Sequence, residues 1–177
     1  MELQPYENRD PVWSRPGYHR IREGADLLTL PTLATALDEI MDGFLDALKA
    51  ENVPGGLLSE VVTIARGDRT GPRADAPAVY ITPRPMTAVQ GTTTREWWTL
   101  PVLAGSMVQS DNDPDGYYNA TDIAARVRRI MLKRLNLTYT KKPYSGEFTP
   151  AAPGMREEDY FRAMAEIRIQ FEVEEKT

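Results

Sequence analysis

The sequence holds no cysteine, and its only histidine is His19. The first absence excludes disulfides, thiolate catalysis and cysteine-ligated zinc or iron–sulfur centres; the second excludes sites built on several histidines. No apolar run approaches the roughly 20 residues of a membrane-spanning helix, and the opening Met1–Pro5 does not read as a signal peptide. Outside a secretory route, Asn119-Ala120-Thr121 and Asn136-Leu137-Thr138 read as chance sequons. A basic excess is missing too. The formal net charge is −5 over 177 residues, whereas a dedicated duplex-binding domain carries a surplus of Lys and Arg. That charge suits a protein that lets DNA pass without gripping it. Internal repeats and low-complexity tracts are also absent.

What is present is an ordinary soluble composition, 41% hydrophobic and 27% charged. A chain of this length buries about 70% of its unfolded surface as one domain. The most informative stretch is Phe161–Val173. Its odd positions are Phe161, Ala163, Ala165, Ile167, Ile169, Phe171 and Val173; its even positions include Arg162, Glu166, Arg168, Gln170 and Glu172. An unbroken period of two means one buried face and one wet face, hence a long antiparallel strand on a one-sided sheet. At about 3.3 Å per residue it runs about 40 Å.

The remaining elements follow from local pattern. Residues 1–28 carry Pro5, Pro11, Pro16 and Gly17 among Tyr6, Trp13 and Tyr18 without periodicity, and read as an extended arm. Trp13 and Tyr18 would be costly in water, so they dock either on the same domain or on a neighbouring subunit. Leu33, Leu37, Ile40, Met41, Phe44, Leu45 and Leu48 recur at helical spacing, with Thr32 as N-cap and Pro54-Gly55-Gly56 as the stop. Strands are expected at Glu60–Ala65, Ala78–Thr82 and Arg95–Ala104, with an excursion at Pro83–Thr94. Pro101 places the last of these at an edge or a bulge. A second helix starts at Asn119, with Asp122 in the capping-box position, and a Pro143–Gly154 connection leads to the closing strand. The expected class is α+β: a mostly antiparallel twisted sheet of four to five strands, two main helices on one face, and residues 29–177 as the single domain.

Chemistry-bearing motifs are sparse. Asp111-x-Asp113-x-Asp115-Gly116, with Asn119 and Asp122 at positions 9 and 12, matches the ligand spacing of an EF-hand loop. Against a calcium-dependent binding module stand the strand-like incoming segment, Pro114 and the short Asp122. An acidic turn before a helix explains the same residues through the helix dipole. Arg66-Gly67-Asp68 spells an integrin-type tripeptide in a Gly/Arg-rich loop, where it reads as chance. His19 with Asp26 lacks a nucleophile elbow or an oxyanion motif. No phosphate loop is present. No catalytic residue, cofactor or metal is therefore assigned, and the chain is not read as an enzyme.

The two helices carry opposite charge. Residues 32–52 hold Asp38, Glu39, Asp42, Asp46 and Glu51 against Lys49, a net −4. Residues 119–137 hold Arg126, Arg128, Arg129, Lys133 and Arg134 against Asp122, a net +4. If Asp38, Asp42 and Asp46 met Arg126, Arg129 and Lys133 of a neighbour, the contact would be heterologous and could close a ring, with charge setting register more than affinity. The plainer alternative is two solvated faces.

Several segments resemble the tail terminator proteins of long-tailed bacteriophages. They are Ala76-Pro77-Ala78-Val79-Tyr80-Ile81-Thr82-Pro83, Glu96-Trp97-Trp98-Thr99-Leu100-Pro101-Val102-Leu103-Ala104, Ala120-Thr121-Asp122-Ile123-Ala124-Ala125-Arg126-Val127 and the closing Ala165–Val173. They follow an amphipathic helix, so the likeness spans residues 29–174 and rests on element order and texture. It implies a structural virion protein assembled in the host cytoplasm and residing in the tail or neck, without membrane attachment. Such proteins form a hexameric ring that caps the tail tube, ends tail polymerisation and joins the tail to the head–tail connector protein. DNA would pass through the lumen without sequence-specific binding. The partners implied are further copies of the chain, the tail tube protein and the connector, with the Pro83–Thr94 excursion reaching toward tube or connector. Head–tail connector, neck and tail-completion proteins share the fold, so a connector role is the nearest alternative.

Overall fold

The computed structural model describes residues 30–67, 76–91, 95–135, 137–153 and 160–174. The proposed arm, with Trp13 and His19, lies outside them. Helix α1 spans Leu33–Ala50. Thr32 caps it as expected, its Oγ1 accepting from the Thr35 amide at 3.3 Å, which satisfies one of the amides that a helix N-terminus leaves unpaired. Its apolar stripe buries Ala36, Ile40, Met41, Phe44, Ala47 and Leu48.

Strand β1 (Thr63–Arg66) follows, then β2 (Ala78–Pro83), β3 (Thr87–Gly91) and β4 (Arg95–Gln109). After α2 (Asp113–Arg134) come β5 (Tyr144–Thr149) and β6 (Tyr160–Glu174). The sheet order is β1-β2-β4-β6-β5, with β3 also pairing β4. Only β1–β2 is parallel; every other pairing is antiparallel. The α+β class holds, with six strands rather than four to five. The two additions are β3 within the expected excursion and β5 within the expected Pro143–Gly154 connection.

The long closing strand is as expected, and its partner is equally long. β4 pairs β6 from Arg95↔Glu174 to Gln109↔Tyr160 without a register shift, running five residues beyond the expected stop at Ala104. Pro101 is therefore in a central strand, not at an edge or a bulge. It escapes penalty because of where its backbone points. Its carbonyl accepts from the Arg84 amide at 2.8 Å, on the side where β2 has ended at Pro83 and β3 has not begun. The missing N–H falls in that gap, so no ladder bond is lost.

Alternation along the central pair sorts the faces. Leu100, Val102, Ala104, Ile167, Ile169 and Phe171 are completely buried and point to the helices. α1 and α2 pack side by side on that face, and a Cβ on Gly43 would come within 2.7 Å of Leu135 Cδ1, so their crossing is close. The one buried polar side chain among the described residues is Ser106. Its Oγ donates to the Ala120 carbonyl at 2.6 Å, joining β4 to α2.

The start of α2 differs from expectation. The helix begins at Asp113, with Asn112 rather than Asn119 at the N-cap position though without a side-chain capping bond, and Pro114 sits in its first turn. Proline is favourable there, since its missing N–H belongs to the unpaired first turn, and Asp113 and Asp115 complement the dipole.

Candidate assembly interface

The acidic face of α1 is partly claimed from within the chain. Arg66 of β1 binds Asp38 at 2.7 Å and approaches Asp42 at 3.8 Å. Glu39 accepts from the Tyr139 hydroxyl at 2.6 Å. Burial together with the Glu39 carboxylate raises the Tyr139 phenol well above its ordinary value. Asp46 stays exposed.

The basic face of α2 divides in the same way. Arg126 bonds to Glu60, to the Leu57 carbonyl and, one turn back on its own helix, to Asp122 at 3.0 Å. Its guanidinium holds the Glu60 carboxyl below the usual carboxylate range, and Glu60 in turn raises Arg126. Arg126 thus anchors the turn after α1 to α2. Arg128 donates to Ser145 Oγ at 2.8 Å. Arg129 and Lys133 are exposed. Of the proposed contact residues, Asp46, Arg129 and Lys133 present their charge outward, while Asp38, Asp42 and Arg126 also serve the fold. Trp13 lies outside the described residues.

The calcium-loop spacing is not realised as a loop. Asp113, Asp115, Asn119 and Asp122 all ride on α2, and at about 1.5 Å of rise per residue Asp113 and Asp122 are about 13 Å apart along its axis. Calcium ligands must converge to about 2.3–2.6 Å from one ion. Among the described residues no group of three or more His, Asp or Glu side chains is placed to hold a metal. Gly116, which the loop reading assigned to a sharp turn, instead lets α2 approach the Phe161 ring. Arg66 of the Arg-Gly-Asp tripeptide is engaged with Asp38, and Asp68 lies outside the described residues.

The sheet face away from the helices carries the even positions of β6, but less of it is free charge than the sequence implies. Arg168 binds Glu166, which raises its guanidinium further, and Arg95 approaches Glu172 at 3.6 Å. Lys141 lies 4.4 Å from the Trp97 ring centroid and donates to Gln170 Oε1 at 3.2 Å. The Arg168–Glu166 pair follows from the period-two spacing of β6, whereas the contacts of Arg95 and Lys141 join residues of different elements and depend on register. At the end of the sheet, β3 exposes Thr87, Ala88 and Val89, so the expected excursion is a strand whose side chains reach solvent. No described helix is long and apolar enough to cross a membrane.

The comparisons bear on the fold alone. No protein-family profile matches the sequence, and no curated protein is similar to it. In solved structures, the chain is similar to one from the virion of a native gene transfer agent particle. The TM-score is 0.52 at 16% identity, covering 76% of this chain and 93% of that one. The architecture described above is thus one that a subunit of that virion also adopts.

Proposed function

We propose that this protein is a structural subunit of a phage-like virion, and more specifically a tail terminator. The observation that carries the reading is the shared fold with a chain of a gene transfer agent virion, which this chain matches over 93% of that chain's length. The likeness of the strand and helix segments to tail terminators supports the finer role. In this reading copies form a ring, a hexamer, that caps the tail tube and meets the head–tail connector, while DNA passes through the lumen. The exposed Arg129 and Lys133 of one copy face Asp46 of the next, and the exposed β3 reaches toward tube or connector. The protein acts by assembly and not by catalysis.

The test is mass in solution across a concentration series, with negative-stain images of the same fractions and with tail tube protein added. A six-fold ring with a pore wide enough for duplex DNA supports the terminator. A twelve-fold ring moves the assignment to a connector. A monomer indifferent to tube protein rejects both.

A further inference from the structure

The two ends of the sheet carry opposite charge on the side that the helices cover. At one end, Arg66 of β1 reaches Asp38 and Asp42 on α1. One guanidinium answers two carboxylates there, and the two aspartate side chains remain 65% and 67% exposed. Pairs this exposed contribute little to the fold, so both carboxylates keep room and charge for a further cation.

At the other end, α2 stops beside the segment that enters β5, and an open hollow of about 360 Å³ lies between them. Leu132, Leu135 and Leu137 make its apolar side, and Thr140 and Pro143 border it toward β5. Lys133, Lys141 and Lys142 bring three ammonium groups to its lining. Lys141 also donates to Gln170 and lies against the Trp97 ring, and neither partner carries a charge. Among the described residues no carboxylate pairs with any of the three.

β1 and β5 are the outermost strands of the path β1-β2-β4-β6-β5, about 19 Å apart at about 4.8 Å per step. An ion pair closes at about 4 Å, so Asp38 and Asp42 do not reach Lys141 and Lys142 of their own chain. Between copies they can meet. Surfaces at opposite ends of one subunit join head to tail, the heterologous geometry from which rings close, and opposite charge aligns them. On the ring reading above, we infer that the lysine hollow receives the Asp38–Asp42 flank of the next copy's α1. This contact lies beside the one that Arg129, Lys133 and Asp46 make, and extends it to the edges of the sheet.

Carbodiimide joins a carboxylate to an amine only where the two touch. It therefore reads the contact directly in a mixture of isotope-labelled and unlabelled protein, assembled with tail tube protein. Peptides holding Asp38 or Asp42 are expected to be linked to peptides holding Lys141 or Lys142, with labelled joined to unlabelled as often as like to like. Lys142 is exposed, so Lys142→Glu should keep the far-UV circular dichroism spectrum and lower the yield of links several-fold; an unchanged yield overturns the assignment. Links confined to like-labelled peptides place the contact within one chain and also overturn it. So do six-fold rings in negative stain that give no such links, an outcome that leaves the ring reading standing. Links without a ring keep the contact and reject the ring, and the absence of both rejects both.

Discussion

Gly116 on α2 lies so close to Phe161 on β6 that a Cβ would fall 2.3 Å from the ring's Cδ2. Phe161 is fully buried and is met edge-on by Tyr117, with centroids 4.7 Å apart. Gly116→Ala therefore forces the ring or the helix to move, and overpacking of this kind costs about 1–3 kcal/mol. The melting temperature should fall. Phe161→Leu in the same background should recover part of the loss, giving a coupling term in a double-mutant cycle. Additive effects would mean that the contact is not where the strain resides.

Glu60 and Arg126 make stability acid-sensitive in a defined direction. The folded pKa of Glu60 lies below its unfolded value of about 4.3. Its contribution is therefore present above that value and lost as pH falls through the folded pKa. The pair is partly exposed, so the effect is at most about 1 kcal/mol. Glu60→Gln should lower stability near neutrality and leave a flatter acid limb in denaturation curves between pH 3 and pH 6. An unchanged slope would remove the pair from the stability of the turn after α1.

Tyr139 and Glu39 act at the other end of the scale. The Tyr139 phenol is raised in the folded state, so its contribution is present below the unfolded tyrosine pKa of about 10 and lost as pH rises through the folded value. Spectrophotometric titration at 295 nm should show a step above the ordinary tyrosine range. In Tyr139→Phe that late step should vanish.

Ser106 is expected to be replaceable only at a cost. Ser106→Ala removes its bond to the Ala120 carbonyl and should destabilise by about 1 kcal/mol, read as a shift of the urea midpoint with unchanged slope. Ser106→Val should cost more, because the extra methyl meets α2 where it lies close to the sheet.

Charge reversal separates folding from assembly. Arg129 and Lys133 are exposed, so Arg129→Glu with Lys133→Glu should leave the melting temperature nearly unchanged and weaken ring formation. Asp46→Lys on the opposing face should restore it. Arg126→Glu should instead lower the melting temperature, since Arg126 anchors the turn at Leu57 and Glu60. If the double reversal leaves assembly intact, the charged helices are not the ring contact.

Strong periodicity was legible and its exceptions were not. Phe161–Val173 shows its strand because every second side chain must face the helices. The start of α2 was hidden, since Asp113-Pro114-Asp115-Gly116 reads locally as a turn. Proline tolerates a first helical turn, and Gly116 is accounted for only by the Phe161 ring across the core. β5 has no bounds in the sequence, because the register shift between Ser145 and Phe148 breaks its alternation. The local pattern of β4 fades at Gly105, and its continuation to Gln109 depends on pairing with β6. At the candidate interface, the charges of α1 and α2 could be counted from the sequence, but not their partners. Arg66 to Asp38 and Arg126 to Glu60 join residues far apart in the chain.

The class, the capped first helix and the long one-sided strand can be read from the chain alone, because they depend on spacing between near neighbours. Which charges face outward, why Pro101 is harmless in a central strand and why Gly116 must lack a side chain emerge only from the packed molecule. Each of these turns on the approach of two segments distant in sequence, and local propensity carries no information about that approach.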